Sequence, residues 1–183
     1  MSRLLRLVFG LCVIGLAGCA APGPSLPLAR DVDLGRYSGR WYVIANIPYF
    51  AERGKVGSYF DVSFPDGHVR DVYTARPTDF SAAESHFTMG GYVVAGTGGA
   101  KWRESPFWPL YFSYLILYVD PDYNTALVGY PGCQYGWVFA RTPDLDDATY
   151  TRLLDRLRGL GYNTKLFQRV PQHPDQIGKP GFQ

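Results

Sequence analysis

The chain has 183 residues, with 18 Lys and Arg against 16 Asp and Glu, which is enough for one domain with a hydrophobic core. Residues 1–18 hold two of the basic residues and none of the acidic ones, so the remainder is formally neutral and carries no nucleic-acid footprint. Aromatics at 16%, with 21 Gly and 14 Pro, favour strands and turns over a helical bundle.

The chain opens with Arg3 and Arg6, an apolar run over residues 7–16, and then small residues. This is the layout of a secretory signal, too short for a comfortable membrane span. Residues 20–30, AAPGPSLPLAR, read as an extended Pro-rich tether. Of the three cysteines, Cys12 lies within the signal and Cys19 at its end. Cys133 is left without an intrachain partner, so no disulfide framework is expected.

Eight strand-like runs follow, at residues 41–46, 56–64, 68–75, 87–95, 100–105, 112–119, 123–130 and 136–141. Turn residues separate them, at 65–67 (PDG), 96–99 (GTGG), 120–122 (DPD) and 131–132 (PG). Short connections favour a meander, and eight strands can close on themselves and remove the sheet edges. The expected fold is all-β: an eight-stranded antiparallel up-and-down barrel with one C-terminal α-helix packed on the outside. That helix starts near Pro143, with Asp144 and Asp146 as candidate caps, and Gly161 is a natural stop. Leu153, Leu154, Leu157 and Leu160 lie on its core face. Residues 164–170 suggest a ninth strand, and the tail PQHPDQIGKPGFQ reads as disordered.

Several motifs carry a family resemblance. Leu16-Ala17-Gly18-Cys19 resembles the end of a bacterial lipoprotein signal. That implies cleavage before Cys19, acylation of Cys19, and stable anchoring by several chains. Gly39-Arg40-Trp41-Tyr42, Asp120-Pro121-Asp122-Tyr123 and Trp137-Val138-Phe139-Ala140-Arg141 resemble, in order, the three lipocalin motifs. Glu52-Arg53-Gly54 and Pro106-Phe107-Trp108-Pro109-Leu110-Tyr111 are similar to the bacterial outer-membrane lipoprotein lipocalins and apolipoprotein D. The implied division is a signal at 1–18, an acylated Cys and tether at 19–30, a lipocalin domain at 31–170 and a flexible tail at 171–183. The resemblance implies that Gly39, Trp41, Asp120, Tyr123 and Arg141 are structural, with Arg141 packed across Trp41 at the closed end. Ala20 after Cys19 fits outer-membrane sorting by the same analogy, facing the periplasm.

Lipocalin barrels, as a class, are wide enough for one small ligand. Alternation from Trp41 puts Val43 and Ala45 inside, and alternation from Arg141 puts Tyr135, Trp137 and Phe139 inside. The family pattern adds Phe60 and Val62 on the second strand and Tyr114, Ile116 and Tyr118 on the sixth. Tyr73 joins them only if the register holds, since a one-residue slip turns it outward. An apolar, aromatic lining with phenolic hydroxyls suits an acyl chain, and Arg70, Lys101 or Arg103 could meet a head group. The expected function is a membrane-tethered carrier or scavenger of fatty acids or lysophospholipids, with no cofactor and no metal.

Two other classes compete. One is a structural or interaction lipoprotein with a filled barrel; a homodimer through exposed aromatics fits either account. The other is a tetrapyrrole carrier, which needs an inward axial ligand from His68 or His86. An enzyme is not expected. The chain has neither Gly-x-Ser-x-Gly nor His-Glu-x-x-His, and its three histidines lack metal-ligand spacing. Some lipocalins are isomerases with a cysteine inside the barrel, but Cys133 falls beside a hairpin turn. Residues 120–131 lack the Gly and Glu of a calcium loop, and residues 96–101 lack the Ser or Thr and the helix of a phosphate loop. Both read as hairpins.

Overall fold

The computed structural model describes residues 25–183. The signal, Cys19 and the first part of the tether expected from the sequence lie outside them. A four-residue helix, α1 (Leu34–Tyr37), is capped by the Asp33 carboxylate, which accepts from the Arg36 N–H. Eight strands follow: β1 (Gly39–Asn46), β2 (Val56–Ser63), β3 (His68–Arg76), β4 (Ser85–Val93), β5 (Lys101–Phe107), β6 (Leu110–Val119), β7 (Thr125–Gly129) and β8 (Gly136–Ala140). Each pairs antiparallel with the next, and β1 pairs with both β2 and β8, so the sheet closes. This is the expected up-and-down barrel.

Helix α2 (Asp147–Gly159) begins where the sequence placed a cap: the Asp146 carboxylate accepts from the Thr149 N–H at 2.8 Å. Its buried Leu153 and Leu157, with Leu154 and Leu160 beside them, pack on outward residues of β1, β6, β7 and β8. The last expected strand is shorter than its sequence run. Residues 164–166 form a 3-10 turn, and β9 is only Gln168–Arg169, paired with Ala45 and Asn46.

The tail corrects the expectation of disorder. β1 and β2 pair directly only from Gly39 to Tyr42, and above this the chain after β9 fills the seam. The Val170 N–H donates to Ile44 O, and Gly57 N–H donates to Pro171 O. Buried Gln172 donates from Nε2 to Val43 O at 2.9 Å and to Ser58 O at 3.1 Å. Strand carbonyls inside a protein need donors, and this polar-looking tail supplies them. The tether is likewise shorter than its sequence suggested. Leu26 and Leu28 pack on the hydrophobic clusters, and Ala29 N–H donates to Ile116 O.

Candidate functional site

The α1 end of the barrel is sealed. Trp41 is fully buried, and its Nε1 donates to Tyr37 O at 2.8 Å. The Arg141 guanidinium lies 3.7 Å from the Trp41 ring centroid. Arg141 also donates to Arg36 O, Tyr37 O, Arg40 O and Tyr123 O. A planar fork is needed to satisfy so many carbonyls while covering an indole face. Gly39 adopts φ 100°, and a Cβ there would come within 3.4 Å of Arg141 Nη1. Asp120 ties the β6–β7 turn by accepting from Asp122, Asn124 and Thr125, while the Tyr123 hydroxyl accepts from Asp33 N–H at 2.8 Å.

Above this seal an aromatic cluster fills the lower interior. Tyr37 packs on Trp41 and Trp102, Trp41 on Phe139, and Phe60 on Tyr73 and Phe139. Trp102 and Tyr114 stack at 4.4 Å with 3° between their planes. The upper interior is different. Phe87 pairs with inward Tyr73, and Phe112 pairs with Glu104, so both share the inner face. Yet they are 51% and 39% exposed. Inner-face residues can be that exposed only if the upper barrel is an open cup. Phe50 on the β1–β2 loop, and Phe107, Trp108 and Leu110 at the tip of the β5–β6 hairpin, all at that same end, are also exposed.

The structure sorts the expected lining residues. Val43, Phe60, Val62, Tyr114, Ile116 and Phe139 belong to the interior cluster, and Tyr73 and Trp137 pack against it. Ala45 and Tyr118 do not. A bulge between Val43 and Ala45 inserts Ile44, which turns Ala45 to the helix side and Asn46 inward. A second irregularity between Ile116 and Tyr118 turns Tyr118 outward, where Arg156 covers its ring at 4.3 Å. An extra residue reverses every later position in a period-2 pattern. Tyr135 precedes β8 and packs with Tyr49 and Tyr130 near the mouth.

The proposed head-group cations are also corrected. Val69, Trp102 and Tyr114 face inward, so their neighbours Arg70, Lys101 and Arg103 face outward, and Arg103 donates to Ser113 Oγ on the outer face. His68 and His86 fall on outward rows of β3 and β4, with His86 Nδ1 bonded to Thr74 Oγ1 at 2.9 Å. Neither is placed as an axial ligand. Cys133 sits in the β7–β8 connection and packs against the helix-side cluster, and burial pushes its thiol pKa up.

Sequence reasoning missed three buried acids. Asp71 on β3 and Glu104 on β5 are inward, at 0% and 3% exposure. Glu52, from the β1–β2 loop, is 2% exposed. Extending the alternation along Val69-x-Asp71-x-Tyr73 and Trp102-x-Glu104 would have found the first two. Glu52 accepts from Asn46 Nδ2 at 2.5 Å and Trp137 Nε1 at 2.9 Å. Burial pushes its pKa up to about 7 against those bonds. Burial, then the charges of Glu52 and Asp61, hold Asp71 well above the usual carboxylate range. Burial, then Asp71, does the same to Glu104.

Comparison with known proteins finds a match to the Lipocalin-like domain over residues 32–172. The outer membrane lipoprotein Blc of Escherichia coli K12 is 29% identical over 175 residues, covering 93% of this chain and 98% of that protein. Its Vibrio cholerae counterpart is 27% identical over 168 residues, covering 88% and 95%. Among solved structures, insecticyanin from the tobacco hornworm Manduca sexta superposes with a TM-score of 0.65 at 14% identity, covering 81% of this chain and 86% of that one.

Proposed function

The chain belongs to the lipocalin-like family, and on that premise we propose that it is a membrane-tethered carrier or scavenger of amphiphiles, fatty acids or lysophospholipids, in the cell envelope. The observation that carries this reading is the half-exposed pair Phe87 and Phe112 on the inner wall. Apolar surface held open to water inside a concave wall is a binding surface for apolar ligands. Met89, Tyr73 and Trp137, partly buried beside the interior cluster, extend it. Val43, Phe60, Val62, Tyr114, Ile116 and Phe139 form its lower boundary.

Cys19 is the proposed acylation site. The likeness to outer membrane lipoproteins over most of the chain supports anchoring at the outer membrane, and the proposal has the domain face the periplasm. The exposed Phe50, Phe107 and Trp108 around the mouth fit a cup that works beside lipid.

Residues 25–183 contain every strand of the closed barrel, its helix and the seam-filling tail, so the segment 20–183 is the unit to assay. The test is to extract it after purification from bacterial cells, identify co-purified lipids by mass spectrometry, and titrate a fatty acid or lysophospholipid against Trp fluorescence. A stoichiometric lipid and a saturable signal, altered in Trp137→Phe, are the expected result. An empty domain that ignores every amphiphile would overturn the carrier and leave a structural barrel.

A further inference from the structure

We propose that the inner end of the cup is a cation subsite, in which Asp71 and Glu104 receive the protonated amine of an amphiphile whose apolar body lies along Met89, Phe87 and Phe112. This rests on the carrier reading and moves its ligand class from fatty acids to amphiphiles that carry an amine.

The first ground is hydrogen bonding. Both Asp71 carboxylate oxygens and Glu104 Oε1 are buried without a partner. Buried carboxylates are costly unless paired, and this protein satisfies the third one: Glu52 accepts from Asn46 and Trp137. Asp71 and Glu104 therefore stand apart from the structural solution used a few residues away.

The second ground is position. In the ladder, Asp71 lies opposite Met89, and Glu104 lies between Gly91 and Phe112. Gly91 has no side chain to separate the two acids, and a Cβ there would come within 2.1 Å of Arg103 O. Glu104 is fully inside while its neighbour Phe112 is 39% exposed, so the acids mark the boundary between the filled floor and the open cup.

The third ground is the surrounding chemistry. Arg70, Lys101 and Arg103 face outward, and Arg141 is committed to carbonyls at the seal. Beside the acids stand the stacked Trp102–Tyr114 pair and Tyr37, whose hydroxyl bonds that of Tyr114 at 2.8 Å. Aromatic faces and carboxylates together favour an ammonium over an anion. No group of three or more metal-ligating side chains occurs among the described residues, so the cation expected is organic. A carboxylate or phosphate pointing inward would find no cation to pair with.

The test compares three ligands with one ten-carbon chain: decylamine, decanol and decanoate. Each is titrated into residues 20–183 by Trp fluorescence below its micellar concentration, at about pH 7.5 where the alkylammonium is charged. The amine is expected to bind about tenfold or more tighter than the alcohol, with decanoate weakest. In Asp71→Asn/Glu104→Gln the amine-to-alcohol ratio is expected to fall to about one. Decanoate binding as tightly as the amine, or a preference that survives the double substitution, would overturn the cation subsite and leave the carrier standing. No binding by any of the three would overturn both. The ranking in the unsubstituted chain decides alone if the double variant does not fold.

Discussion

Glu52 offers the sharpest link between a buried group and a measurable free energy. Its carboxyl titrates at about 7 in the folded protein against 4.5 as the ordinary value. Below pH 4.5 both states hold the proton, and the stability it contributes is fully present. Between 4.5 and 7 the unfolded chain ionises first, so stability is lost as pH rises; above 7 the loss is constant. At about 1.4 kcal/mol per pH unit, the span is worth about 3 kcal/mol. Glu52→Gln keeps the shape and an acceptor for Trp137 and Asn46 but cannot ionise. Urea unfolding midpoints of the two proteins should therefore nearly coincide near the acid end and diverge towards neutral pH. The substituted chain should be the more stable by about 3 kcal/mol at neutral pH. Asp71 and Glu104 are also raised, so both proteins keep a slope of the same sign, and the difference between the curves is the quantity to read. Parallel curves would refute the reasoning, as would a Gln variant that is less stable at every pH.

Arg141→Lys keeps the charge but loses the planar fork over Trp41, and should cost about 2–3 kcal/mol in a urea midpoint experiment; a loss under about 0.5 kcal/mol would mean the seal does not depend on the guanidinium. Leu157, fully buried beneath α2, should cost about 2–5 kcal/mol as Leu157→Ala, measured by thermal or denaturant unfolding, while the far-UV signature of the barrel persists. Gly91→Ala drives a Cβ into Arg103 O and should destabilise by about 3 kcal/mol or prevent folding, read by soluble yield and hydrogen exchange on β4 and β5. Cys19→Ser should leave the exported chain without acyl mass and move it from the membrane to the soluble fraction on cell fractionation; retention at the membrane would place the anchor elsewhere.

The barrel was legible because its signals are local. Alternating apolar residues, Gly and Pro turns, and the leucine face of α2 each follow from backbone geometry over a few residues. The pairing of Trp41 with Arg141 was legible from the family resemblance, and the structure shows the contact at 3.7 Å. The lining was only partly legible. Counting by twos is reliable until a strand gains a residue, and the bulges at Ile44 and Leu117 leave no mark in composition. They carry Ala45 and Tyr118 to the outside.

Three features belonged to tertiary structure alone. The tail reads as polar and Pro-rich, yet it is held because β1 and β2 part above Tyr42 and leave carbonyls for Gln172 to satisfy. The open cup is visible only as exposure of Phe87 and Phe112 on an inner wall. Asp71 and Glu104 lie 33 residues apart in sequence, and the pairing of β3 and β5 with the two sides of β4 brings them to one place. By itself, then, the sequence determined the strand pattern and the outer helix, because those depend on short-range periodicity, while the closed end came from its resemblance to a known family. The meeting of two acids inside the cup was decided by the fold, because it depends on which residues of distant strands share a face.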